Sequence, residues 1–146
     1  ARVAGAEAVS VGHLHVAVVD SDGSVWAWGC GESGALGVGG GESEPRPVRV
    51  QALPTRVVAV SAGTGFTAAV DMYGGVWTWG EGELGSLGHG SAENELLPRR
   101  VQGLPRAVAV SAGHEHCVAV DEEGRAWVWG EGEHGRLGLG DEEKRW

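Results

Sequence analysis

No part of this chain approaches the roughly 18 uninterrupted apolar residues that a bilayer-spanning helix requires, which excludes a transmembrane helix. Basic side chains are also scarce: 11 Lys plus Arg stand against 20 Asp plus Glu, a formal net charge of −9. A nucleic-acid grip needs a basic patch to neutralise phosphates, and the densest basic group here is Arg99-Arg100. Nucleic acid is therefore not an expected partner of this chain, whereas its acidity suits solubility and basic protein partners. The two cysteines, Cys30 and Cys117, occupy non-equivalent positions in the repeating pattern of the chain, so neither a disulfide framework nor a zinc site is expected. That usage fits an intracellular setting, cytoplasmic or nuclear, with the cilium included. No window carries apolar residues at helical spacing for long enough to compete with short strands.

Glycine is abundant, with 27 residues, and its arrangement raises a question. Gly29 to Gly34 spell a GxGxxG directly after a short apolar run, the form of a dinucleotide-binding turn. Such a turn must open a helix whose amides hold the pyrophosphate. After Gly34 the chain runs Ala35-Leu-Gly-Val-Gly-Gly-Gly41, too glycine-rich to start one. The stretch also recurs: "VWAWGCGESGALGVG" from Val25 returns as "VWTWGEGELGSLGHG" from Val76 and "AWVWGEGEHGRLGLG" from Ala126. "VSVGHLHVAVVDSDG" at Val9 returns at Val60 and Val110, and "PVRVQALP" at Pro47 matches "PRRVQGLP" at Pro98. Three copies of a structural unit are a better reading than three nucleotide sites. The expected units are residues 9–59, 60–109 and 110–146, the last incomplete. No cofactor is expected.

Within a unit, runs such as Thr67–Val70, Val76–Trp79, Arg99–Val101 and Val108–Ser111 read as strands. Asp20-Ser-Asp-Gly23, Asp71-Met-Tyr-Gly74 and Asp121-Glu-Glu-Gly124 read as tight hairpins, an Asp to accept backbone N–H bonds and a Gly free to take positive φ. The prediction is an all-β chain of β-propeller blades, each of about four short antiparallel strands. Trp26 and Trp28, two apart on a strand, share a face. Both faces of that strand are apolar, so neighbouring sheets must cover them.

These motifs, GxxH, DxxG, WxWGxGxxGxLGxG, a Pro before a Val strand and VxVSAG, resemble the repeat of the regulator of chromosome condensation family over Val9 to Gly140. Phe66 departs from it, standing where the second copy would carry the usual His, and Glu follows WG where the family often has a polar Asn-like residue. The resemblance implies an open three-blade portion of a larger, seven-bladed ring, completed by further repeats or by self-association. The ends of the chain, out of phase with the unit and lacking an initiator Met, agree with a piece of a longer protein.

The resemblance further implies a non-catalytic protein-protein interaction scaffold. The second reading is a guanine-nucleotide exchange factor or regulator for a small GTPase, with a multi-protein assembly as the other partner class. The wedge insertion of exchange factors has no room at spacings of 51 and 50 residues between the first tryptophans, Trp26, Trp77 and Trp127. A UV-B photoreceptor ranks third. Plant receptors carry Trp-Arg where this chain has His13-Leu14, Thr64-Gly65 and His114-Glu115.

No catalytic or metal site is expected. His114 and His116 share a strand face but lack further ligands, and His15 and His116 are read as framework residues bonding backbone in the next loop. Asp20-Ser-Asp22 lacks the distal Glu of a calcium loop. Ser61 and Ser111 lack a nucleophile elbow, and His89 and His134 are read as solvated. Partner contacts are expected where copies differ: His13, Leu14, Thr64, Phe66, His114 and Glu115 at one rim, with Glu42, Glu44, Glu93 and Glu95 before the proline strands.

Overall fold

The computed structural model describes residues 2–146 as three antiparallel sheets. They start at Ala6, Val57 and Ala107, about three residues before the unit starts expected at 9, 60 and 110, which fall inside the first strand of each sheet. The first holds β1 (Ala6–Val11), β2 (His15–Asp20), β3 (Val25–Gly29) and β4 (Glu44–Arg49) in the order 1-2-3-4. The second repeats this with β5 (Val57–Ala62), β6 (Phe66–Asp71), β7 (Val76–Gly80) and β8 (Glu95–Arg100). The third contains β9 (Ala107–Ala112), β10 (His116–Asp121) and β11 (Ala126–Gly130), followed by a bridge from Gly130 to Arg145. The sheets form an open arc of propeller blades, as the sequence predicts. Val9 and Val11 on the first blade, and Val108 on the third, stay exposed.

Two local features differ from the sequence reading. Single 3-10 turns, Glu32–Gly34, Glu83–Gly85 and Glu133–Gly135, follow the Trp strands, where no helix of any kind is anticipated. Each holds a non-glycine residue, Ser33, Leu84 or His134, at a positive φ near 60°. The expected strand Arg99–Val101 is instead β8, Glu95–Arg100, with Pro98 inside it. Proline is tolerated because β8 is the edge of its sheet, pairing with β7 alone.

The hairpin aspartates do more than turn the chain. Asp71 Oδ1 accepts the N–H groups of Tyr73 and Gly75, both at 2.9 Å, while Oδ2 accepts Trp77 Nε1 at 2.8 Å. Asp20 with Trp26 and Asp121 with Trp127 repeat the latch at 2.8 and 2.9 Å. The indole bond leads the causes that hold the Asp20 carboxyl below its ordinary range. Burial alone would raise Asp71 and Asp121, but the hydrogen bonds led by Trp77 and Trp127 outweigh it and both are lowered.

The second tryptophan of each pair has a different role, at the seam with the preceding blade. Trp79 is fully buried over Gly37, where a Cβ would come within 2.7 Å of its Nε1. Trp129 packs likewise over Gly88 and donates to Ser86 O at 2.9 Å. Their equivalent on the first blade, Trp28, is half-buried. Nearer the β1–β2 ends, Ser10 Oγ accepts the Ala62 N–H and Ser61 Oγ accepts the Ala112 N–H, each at 2.9 Å. Gly63 is required there, because a Cβ would lie 2.6 Å from Gly113 O on the next blade.

Three histidines depart from the sequence reading. His15 bonds a side chain rather than backbone: its Nε2 lies 2.8 Å from Thr67 Oγ1 of the next blade. His116 Nδ1, at the open end of the arc, is buried without a partner among the described residues. His89 is half-buried, 2.9 Å from Thr78 Oγ1, and is not a solvated loop residue.

Candidate interaction rims

Strand order places two kinds of loop at opposite ends of the blades. One rim gathers the β1–β2 type turns and the long loops after the Trp strands. The other gathers the Asp hairpins and the connections between blades. The rim residues proposed from sequence, Phe66 excepted, fall on the first of these. His13, Leu14 and His114 are exposed, and Thr64 and Glu115 are half-buried. Phe66 does not belong with them. It is 1% exposed and packs with Cys117, Trp129 and Leu87 in the core between the second and third blades, where it can touch no partner.

His13, Leu14 and Thr64 come together at a cleft of about 230 Å³ over the first seam, beside Cys30, Glu32 and Glu81. His114 and Glu115 lie over the next seam and face each other, Nδ1 to Oε1, at 3.5 Å. Among the acidic loop residues, Glu42 and Glu93 are exposed and Glu44 and Glu95 half-buried. Glu95 is engaged with Arg99 at 2.6 Å.

The structure adds one residue to this set, Glu143. The carbonyls of Glu42, Glu93 and Glu143 abut Gly31, Gly82 and Gly132, so all three glutamates hold the same place on successive blades. Spacings of 51 and 50 residues, matching the tryptophans, are the sequence signal for this equivalence. The same contact shows what surrounds the second glycine of the GxGxxG stretch. Gly31 N–H donates to Ser43 Oγ at 3.4 Å and Gly82 N–H to Asn94 Oδ1 at 3.0 Å. The loop fills its own cradle with carbonyl and side-chain oxygens, and an anion would meet acceptors there.

Charge is unevenly divided. Glu32, Glu81, Glu83, Glu131 and Glu133 join Glu42, Glu93 and Glu143 on the first rim. Arg49, Arg56, Arg100, Arg106 and Arg125 lie toward the second. Among the described residues no three His, Cys, Asp or Glu side chains gather as metal ligands. Ser10 and Ser61 are committed to the seams, and burial pushes the Cys117 thiol far up, leaving it protonated.

The sequence profile of the regulator of chromosome condensation (RCC1) repeat matches residues 22–70 and 73–120, and a second profile of the same repeat matches 7–35 and 107–136. Over 94 residues, 64% of this chain, the sequence is 39% identical to the human E3 ubiquitin-protein ligase HERC2 and 37% identical to the ultraviolet-B receptor UVR8 of Arabidopsis thaliana. The matched segments span 2% and 21% of those proteins. Prp20p of Saccharomyces cerevisiae, whose crystal structure is described with its binding properties to Gsp1p and histones, superposes with a TM-score of 0.87. That similarity covers 97% of this chain and 37% of Prp20p at 25% identity.

Proposed function

Because this chain belongs to the RCC1 repeat family, we propose that it is a non-catalytic, intracellular protein-interaction scaffold whose acidic rim receives a basic protein segment. The observation that carries this reading is the repeated glutamate. Glu42, Glu93 and Glu143 stand at the same place on successive blades, with backbones set over glycine. All three are exposed, and among the described residues Glu143 alone of them has a counter-ion, Arg145 at 3.6 Å. A rigid row of like charge steers and orients a partner of opposite sign. Prp20p, described as binding Gsp1p and histones, is a fold relative with protein partners. That likeness also favours a second reading, exchange or regulation of a small GTPase. The receptor reading gains nothing from these residues, since His13-Leu14, Thr64-Gly65 and His114-Glu115 hold no tryptophan or arginine.

The test is binding of a labelled arginine-lysine-rich peptide to the intact chain at low and high salt. Glu42→Lys with Glu93→Lys is expected to weaken binding by about tenfold at low salt, the gap closing at high salt as screening shortens the reach of surface charge. Equal affinity of wild type and variant at both salts would overturn the proposal.

A further inference from the structure

The opposite rim of the first seam holds a cleft of about 400 Å³ that the acidic-rim reading does not use. Its walls include Arg49 and Arg56 from the end of the first blade and the following connection, and Met72 and Tyr73 from the second blade's hairpin. Arg56 Nη2 donates to Ser21 O at 2.8 Å and Arg49 Nη2 to Ser24 Oγ at 3.0 Å. These bonds position the two guanidinium groups and leave most of their donors free. Neither arginine has a carboxylate within ion-pairing distance among the described residues. Asp22 is the one acidic residue lining the cleft. Asp20 behind it accepts from Trp26 and the N–H groups of Asp22 and Ser24, and the charge of Arg49, beyond ion-pairing distance, adds a smaller part to holding its carboxyl down.

The second seam shows what a neutralised version looks like. Arg106 takes the place of Arg56, and its neighbours on the third hairpin are Glu122 and Glu123 where the second hairpin has Met72 and Tyr73. There Arg106 Nε lies 3.4 Å from Glu122 Oε1, and Glu123 pairs with Arg125 at 2.9 Å. At the first seam, two apolar-bodied side chains replace that acidic pair, and both are largely exposed, Met72 at 47% and Tyr73 at 59%. Arg106 thus has an internal counter-ion at the second seam that its equivalent Arg56 lacks at the first, while Arg49 and its equivalent Arg100 are alike in having no carboxylate within ion-pairing distance among the described residues.

We propose that the Arg49–Arg56 cleft is a docking site for an acidic peptide segment of a partner protein. Arg49 and Arg56 receive its carboxylates, and Met72 and Tyr73 cover an apolar side chain next to them. A guanidinium offers a planar fork of donors that matches a carboxylate in two-point geometry. The thioether and phenol supply adaptable apolar area beside it. The site lies at the other end of the blades from the glutamate row, so one protein can engage segments of opposite charge on its two rims.

The probe is a short fluorescein-labelled peptide alternating glutamate and leucine, with a lysine-leucine peptide as the opposite-charge comparison, titrated into the intact chain. Binding is followed by anisotropy and by the 13C-methyl resonance of Met72, the single methionine in the sequence. The glutamate peptide is expected to bind and shift the Met72 methyl. Arg49→Ala with Arg56→Ala should weaken it by about tenfold or more, as loss of charge-assisted bonds implies. Met72→Glu with Tyr73→Glu, which installs the acidic pair the third hairpin already carries, should weaken it similarly without unfolding the protein. Arg106→Ala should leave it unchanged. Binding that survives Met72→Glu/Tyr73→Glu, an unmoved Met72 methyl, or equal loss in Arg106→Ala would each overturn the assignment. The acidic-rim proposal is untouched by any of these results, since its probe is basic and its variants lie at the other rim.

Discussion

The two seams between blades share one backbone and are held by different chemistry. At the first, His15 Nε2 meets Thr67 Oγ1 at 2.8 Å, and that hydroxyl in turn donates to Ala35 O at 2.9 Å. The Trp79 indole N–H, buried beside them, has no partner among the described residues. At the second seam the equivalent residues are Phe66 and Cys117, which lie in one apolar cluster. With no hydroxyl at position 117, the carbonyl equivalent to Ala35 O, that of Ser86, is free to accept Trp129 Nε1 at 2.9 Å. A polar chain and an apolar contact therefore fill the same gap, and the choice decides whether the neighbouring indole finds an acceptor. One carbonyl serves one donor at each seam.

Truncating the indoles gives the largest effect expected from this contrast. Trp79→Ala and Trp129→Ala should each destabilise by about 3–5 kcal/mol in urea unfolding. Trp→Phe then separates the seams. Trp129→Phe gives up its bond to Ser86 and should cost about 1 kcal/mol more than Trp79→Phe, whose N–H is unpaired. Equal costs for the two Trp→Phe changes would show that the indole bond contributes nothing.

A middle-sized effect comes from converting one seam into the other. Thr67→Val strands His15 and should cost about 1–3 kcal/mol. His15→Phe with Thr67→Cys, which reproduces the second seam, should recover part of that, with a coupling of about 0.5–3 kcal/mol in a double-mutant cycle. The pair should also change the pH profile. Burial lowers the pKa of His15 in the folded protein, so the unfolded chain takes up the proton more readily. The His15 contribution is complete above the unfolded value near 6.5 and declines as pH falls through it. His89 and His116 are lowered by burial too, with smaller contributions from neighbouring charges, and act in the same direction. The double variant should therefore lose less stability between neutral and mildly acidic pH than the parent. An unchanged profile would remove His15 from the account.

Thiol reactivity is the smallest test. Cys117 is fully buried in the second seam, with its thiol pushed up by burial, whereas Cys30 sits half-buried at the rim of the first. Under native conditions an aromatic disulfide reagent should label one thiol per chain, and Cys30→Ser should abolish the reaction. Rapid labelling of both would mean that the second seam opens readily.

The blade architecture is legible because strands, hairpins and glycines are written three times, and a repeated signal separates framework from local accident. The Asp20–Trp26 type latch is not, because turn geometry alone already explains an Asp there. Phe66 misleads for a related reason. It looks like a variable loop residue between two histidine-bearing copies, and only its position at the start of β6 turns it inward. The arginine cleft is invisible in sequence, since each arginine recurs at equivalent positions and what differs is the absent glutamate two elements away. Rim position follows from chain order, but exposure and pairing depend on the neighbouring blade.

The serine bonds across the seams have a consequence for how such an array can change over generations. Each blade offers a hydroxyl acceptor forward and takes one from behind, Ser10 to Ala62 and then Ser61 to Ala112, so the series has a direction. Duplicating a whole unit in tandem preserves that backbone relay at every junction. Exchanging the order of existing units does not preserve the side chains: moving the third blade next to the first would set His15 against Cys117, a ring nitrogen facing a protonated, buried thiol. The units are copies in backbone and individuals at their edges, so any new junction keeps the backbone relay and must refit its side chains: even a tandem copy of the middle blade would set Phe66 against Thr67.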